Sequence, residues 1–193
     1  TTLPGLIELI EGLPQDKRPE LVRGDCGQGG EPTMAALEAR GIRYLFKLRL
    51  TKNVKRYIER MFATPEWADA GQGWQGRDGS TQLTGWSRAR RIVILRRALQ
   101  GEVLLADAQQ LSLAFVEKDV PAKGYEYAVL VTDLDYDIRA LAQLYRDRGD
   151  AENAFDELKN QWGWGGFTTH DLKRCQLTAM TVALAYNWWS LFV

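Results

Sequence analysis

The chain has 193 residues, of which 45% are hydrophobic and 26% charged, and 25 Lys/Arg balance 25 Asp/Glu. These are ordinary proportions for a globular protein with one sizeable core. Two cysteines, Cys26 and Cys175, make no disulfide framework and lack metal-ligand spacing, and the single His170 leaves little for a histidine zinc site or a serine triad.

Residues 3–14 (LPGLIELIEGLP) read as a short helix stopped by Gly12 and Pro14. Residues 19–25 (PELVRGD) read as a short buried strand that delivers Asp25 at its C-terminal end. GQGGEP then turns the chain, Pro32 suits the first turn of a helix, and residues 33–41 are that helix, with Gly41 as its stop. Residues 42–50 (IRYLFKLRL) alternate basic and apolar side chains as a half-buried strand does, and residues 52–62 are helical.

From Ala63 the composition shifts to Gly, Trp and polar turn residues around one clear strand, residues 90–95, with further short strands expected near 101–105 and 111–116. Residues 125–134 (YEYAVLVTDL) are a strand returning to the main sheet. A long helix is expected over 137–161 with Asp137 as its N-cap, and GWGGFTTHD ends it. A last helix starts at Leu172. Polar residues interrupt its apolar run, so it is expected as a buried core helix rather than a membrane span. The chain therefore divides into 1–62, a β-rich insertion over 63–124, and 125–193.

Charge is unevenly spread. Residues 40–97 hold fourteen Lys/Arg against four acids, a local excess of +10 in a chain of zero net charge. Such a basic middle suits a polyanion, nucleic acid first, although the same charges could pair with the acidic remainder.

The long helix carries a second stripe beside its apolar one. At 100° per residue, Tyr145, Arg148, Glu152 and Lys159 fall within an arc of about 60°, bordering the stripe of Leu144, Ala151, Ala154, Phe155 and Leu158. Arg148 and Glu152 alone are an ordinary i,i+4 ion pair, worth only ~0.3–0.5 kcal/mol. Charges at the edge of a buried face are costly without a role. A carboxylate at a strand end (Asp25) and one on a helix (Glu152) suit a hard divalent cation, and Tyr145, Arg148 and Lys159 offer donors to phosphate oxygens.

Residues 145–159 (YRDRGDAENAFDELK) fit Y-x2-R-x3-E-x6-K without a gap, a match expected by chance on the order of once in a thousand chains of this length. The stretch resembles the signature helix of DDE transposases of bacterial insertion sequences. LVRGDCG (21–27) resembles the segment of the family's second catalytic aspartate, IRYLFKLRL its fifth core strand, and YAVLVTDL the strand entering the signature helix. The resemblance implies an α/β ribonuclease H-like core with a β-rich insertion. It implies Asp25 and Glu152 as catalytic carboxylates holding Mg2+ or Mn2+, with Tyr145, Arg148 and Lys159 on DNA phosphates. The implied partner is double-stranded DNA, at transposon ends and target, bound by a homodimer. The implied setting is bacterial, cytoplasmic and nucleoid-associated, with no membrane partner.

The family's first aspartate has no match: residues 1–24 offer only Glu8, Glu11, Asp16 and Glu20, all in the wrong context. Together with Thr1 in place of a start methionine and the uncapped NWWSLFV, this leads to the expectation of a fragment lacking the first strands and nearly inactive alone. Arg90 and Arg91 are expected as further DNA-backbone contacts, and Trp74 and Trp86 as packing residues with base stacking as the alternative. Two other readings compete: a DNA-binding remnant without chemistry, and another ribonuclease H-like nuclease.

Overall fold

The computed structural model describes residues 3–62, 66–98 and 124–192. In chain order the elements are α1 (Leu3–Gly12), β1 (Leu21–Gly24), α2 (Glu31–Glu38), β2 (Arg43–Lys47), α3 (Lys52–Phe62), β3 (Ala68–Gly71), β4 (Trp74–Thr81), β5 (Arg90–Ala98), β6 (Tyr125–Thr132), α4 (Ile138–Arg146), α5 (Arg148–Asn160) and α6 (Leu172–Trp189). The strands expected near 101–105 and 111–116 lie outside the described residues. The chain forms two compact units, Thr1–Arg146 and Asp147–Val193.

The first unit is built on one six-stranded sheet in the order β1-β2-β6-β5-β4-β3. β1 and β2 run parallel, which requires the crossover that α2 supplies; every other neighbouring pair is antiparallel. Pro32 sits in the first turn of α2, and Gly41 beyond its end takes φ +66°, the left-handed conformation that stops a helix at low cost. The described strands of the Gly- and Trp-rich segment, β3 to β5, extend the same sheet through the long β5–β6 pairing.

Both faces of the sheet are covered, and strand alternation sorts the side chains. Tyr44, Phe46, Ile92, Ile94, Val129 and Val131 join Met34 and Leu37 of α2 and Val54, Tyr57 and Ile58 of α3 on one face. Leu45, Val93, Leu95 and Leu130 join Leu141 and Ala142 of α4 on the other. Each such fully buried side chain contributes roughly 1.5–3 kcal/mol. Two-sided burial explains why β5 reads as the uninterrupted run IVIL.

The helix expected over 137–161 is two helices, α4 and α5, with Asp147 between them. Gly149, two residues past the break, lowers the helix propensity just there.

In the second unit the GWGG run caps α5: the amides of Trp164 and Gly165 donate to the carbonyls of Leu158 and Lys159. Asp171 caps α6 by accepting from the amides of Lys173 and Arg174. The indole of Trp164 donates to the Ala179 carbonyl, and Tyr186 bonds Glu157. The sequence led to a buried core helix here. Instead, no described residue of α6 is buried, and Leu177 and Met180 are 68% and 71% exposed. Among the described residues no helix is long and apolar enough to cross a membrane.

Candidate active site

β1 ends at Gly24, and Asp25 follows at the head of a turn closed by the Gln28 amide on the Asp25 carbonyl, 2.9 Å. The exposed Asp25 carboxylate accepts the neighbouring Cys26 amide at 2.7 Å. Gly24 is required: a Cβ there would lie 2.9 Å from the buried Phe46 ring. Sheet geometry thus presents one carboxylate at a strand end, as the sequence suggested.

α4 packs Leu141 and Ala142 into the core, and Leu144 and Tyr145 pack partly against the same cluster. That seating brings the Tyr145 hydroxyl 3.4 Å from Asp25 Oδ1. The Arg146 guanidinium reaches the Ala70 carbonyl.

Arg148 and Glu152 meet within α5, Nη1 to Oε1 at 2.7 Å, with side chains 24% and 60% exposed. Lys159 is exposed near the end of the same helix. The structure thus joins Tyr145 to Asp25 in the first unit and Arg148 to Glu152 in the second.

Arg90 and Arg91 are not placed as expected. Arg90 is 4% exposed, and its guanidinium is held by Glu31 (2.5 Å) and Glu38 (2.8 Å) while lying over the Trp86 ring. Arg88 also reaches Glu38, and Ser87 bonds Glu31. Burial pushes the Glu38 carboxyl up, but hydrogen bonds from Arg90, Arg88 and Tyr44 outweigh it and set it at about 2. Arg91 grips Asp78 with two nitrogens and donates to the Leu134 carbonyl. The physical reason is phase: Arg90 shares strand parity with Ile92 and Ile94, so it faces inward. Arg96 lies over Trp67, Tyr125 and Phe62, and Arg97 over Trp74. Much of the basic middle is therefore consumed by internal pairing. α3 differs, because Lys52, Arg56 and Arg60 are exposed opposite its buried Val54, Tyr57 and Ile58.

A model of the transposase DDE domain matches residues 1–188. The chain belongs to that family. No curated protein matches this transposase domain. Its mixed α/β architecture, a six-stranded, mostly antiparallel sheet with helices, is that of a ribonuclease H-like domain. The family implies an enzyme of DNA transposition acting on a DNA substrate, and its members generally use divalent metals.

The donor chemistry of this transposase domain fits such a metal in kind. Asp25 is an exposed carboxylate at a strand end, and hard cations take oxygen ligands while keeping several waters. The number is incomplete: among the described residues no three His, Cys, Asp or Glu side chains gather into a metal-holding group.

Sequence reading missed two features, the link from Arg23 to α4 and the acid-lined seat of Arg90. Arg23 Nη1 donates to the Leu144 carbonyl at 2.6 Å. The alternation Leu21, Arg23, Asp25 was the available signal for the first. The parity of Arg90 with Ile92 was the signal for the second.

Proposed function

We propose that this transposase domain contributes two carboxylates, Asp25 and Glu152, to metal-dependent cleavage and transfer of DNA strands at transposon ends. The observation that carries the reading is the exposed Asp25 carboxylate at the end of β1, facing Tyr145 at the head of the Y-x2-R-x3-E-x6-K segment. Asp25 and Glu152 would hold Mg2+ or Mn2+, which when bound neutralises phosphoryl charge and lowers the pKa of water.

Tyr145, Arg148 and Lys159 donate to phosphate oxygens near the scissile bond, fixing the strand in register without reading sequence. The cationic face of α3, with Lys52, Arg56 and Arg60, replaces Arg90 and Arg91 as the backbone-contacting surface. The family's remaining aspartate would come from outside this chain, and a second protomer would complete the complex that pairs two ends. Residues 1–193 by themselves would then turn over little.

The test uses the full-length gene product and the DNA flanking its own gene. Nicking should require Mg2+ or Mn2+. Glu152→Gln and Asp25→Asn should each abolish it while DNA affinity persists. Wild-type nicking by either variant removes that residue from the mechanism. A full-length protein that binds the ends and never cuts them would be a DNA-binding remnant.

A further inference from the structure

Two side chains of β1 and the residue just past its end lead towards α4. Leu21 packs into the cluster that includes Leu141 and Ala142, while its neighbour Val22 packs into the opposite cluster. Alternation then places Arg23 on the side of Leu21, and Asp25 follows in the turn after the strand. Both reach α4 within one turn of its end: Arg23 through the Leu144 carbonyl at 2.6 Å, Asp25 through the Tyr145 hydroxyl at 3.4 Å.

The two contacts differ in strength. The carbonyls of a helix's last turn lack intrahelical partners, and a cation there is favoured by the helix dipole. The Arg23 bond is short, charge-assisted and partly buried. The Tyr145–Asp25 contact lies at the outer limit of a hydrogen bond, where a few tenths of an ångström make or break it. The stronger link therefore fixes the register in which the weaker one exists.

We infer that Arg23 is a positioning residue of the cleavage site: by holding the end of α4 it sets where Tyr145 stands relative to the Asp25 carboxylate. The inference rests on the reading of Asp25 as catalytic. Arg23 itself touches no substrate in this scheme. It ties the last α4 turn to β1 through the Leu144 carbonyl, and positioning of this kind affects turnover far more than binding.

The experiment uses the full-length gene product with 3-fluorotyrosine at position 145, read by fluorine NMR and by Mn2+-dependent nicking of the DNA flanking its gene. Arg23→Met keeps the apolar stem and removes the donors. It should move the fluorine resonance towards that of a solvent-exposed tyrosine and lower kcat on the order of 10²-fold with KM for DNA unchanged. Arg23→Lys keeps a donor and should recover most of both. If Arg23→Met does not melt cooperatively, Arg23→Gln, with a neutral donor on a shorter stem, carries the same two readouts.

A wild-type resonance and kcat in Arg23→Met would overturn the inference, as would a Lys variant no better than Met. Asp25→Asn, run in parallel, separates the two readings. If it is inactive while Arg23→Met is wild type, only the role of Arg23 falls. If it nicks at the wild-type rate, both fall.

Discussion

The Tyr145 hydroxyl stands 3.4 Å from Asp25 Oδ1, joining residues 120 positions apart in the chain. A contact that long adds little to folding; in the proposed function its role is to place a donor beside the carboxylate. Tyr145→Phe should therefore leave stability within about 0.5 kcal/mol of wild type. It should lower kcat/KM for end nicking about tenfold, the loss of one phosphate contact worth roughly 1.4 kcal/mol. Thermal melts and steady-state nicking check the two halves. Equal kcat/KM in the variant would make Tyr145 a packing residue.

Glu38 gives the fold an acid-sensitive joint. Its carboxyl lies at about 2 against an ordinary 4.5, burial raising it and the hydrogen bonds from Arg90, Arg88 and Tyr44 lowering it further. Glu31 is lowered as well, first by its bond from Arg90. The unfolded chain thus binds these protons at higher pH than the folded one. The stabilisation is complete above about pH 4.5 and is lost as pH falls from there towards 2, up to roughly 3 kcal/mol from Glu38. Urea unfolding between pH 7 and 2.5 should show that slope in the wild type and a flatter one in Glu38→Gln. Parallel slopes would place the acid sensitivity elsewhere.

The sheet and its helices were largely legible because period and burial coincide in them. IRYLFKLRL alternates and became β2 at Arg43–Lys47; YEYAVLVT is buried from Tyr127 to Thr132 and became β6. Asp25 was legible because a strand followed by a Gly-rich turn presents its last residue at an edge. The break at Asp147 was not, since the apolar pattern runs through it and only the weak helix former Gly149 hinted at it. Arg90 was misread because its partners are 52 and 59 residues away, on a helix whose acids look like surface charges until the fold closes over them. The exposed face of α6 was hidden by composition: apolar residues all round suggest a core, and sequence alone does not say which neighbours cover them.

Gly24 sits directly before Asp25, so its substitution tests how tightly the strand end is fixed. In Gly24→Ala the new Cβ would lie 2.1 Å from Gln28 Oε1 and 2.9 Å from Phe46 Cδ1. The Gln28 side-chain end can move aside. Phe46 cannot, being fully buried and stacked on Tyr44 at 5.5 Å. Overpacking of this kind costs about 1–3 kcal/mol. The double variant Gly24→Ala, Gln28→Ala should recover none of it in denaturant titrations. Full recovery would mean that Gln28 alone confines the glycine.

Arg90 and Arg56 separate internal from external charge. Arg90 lies between two glutamates with its side chain 2% exposed, and Glu38 beside it is 17% exposed. Arg90→Met leaves Glu31 without its cation and Glu38 with Arg88 alone, and should destabilise the domain by ~3 kcal/mol. Being enclosed, it should leave the salt dependence of DNA binding unchanged. Arg56 is exposed on α3 beside Lys52 and Arg60. Arg56→Ala should leave stability within about 0.5 kcal/mol and reduce the slope of log K against log salt by about 1, one phosphate contact fewer. Filter binding between 50 and 200 mM salt spans roughly the range where such a slope is read. The opposite pattern, a reduced slope for Arg90 and none for Arg56, would return DNA contact to the β5 strand and take it from α3.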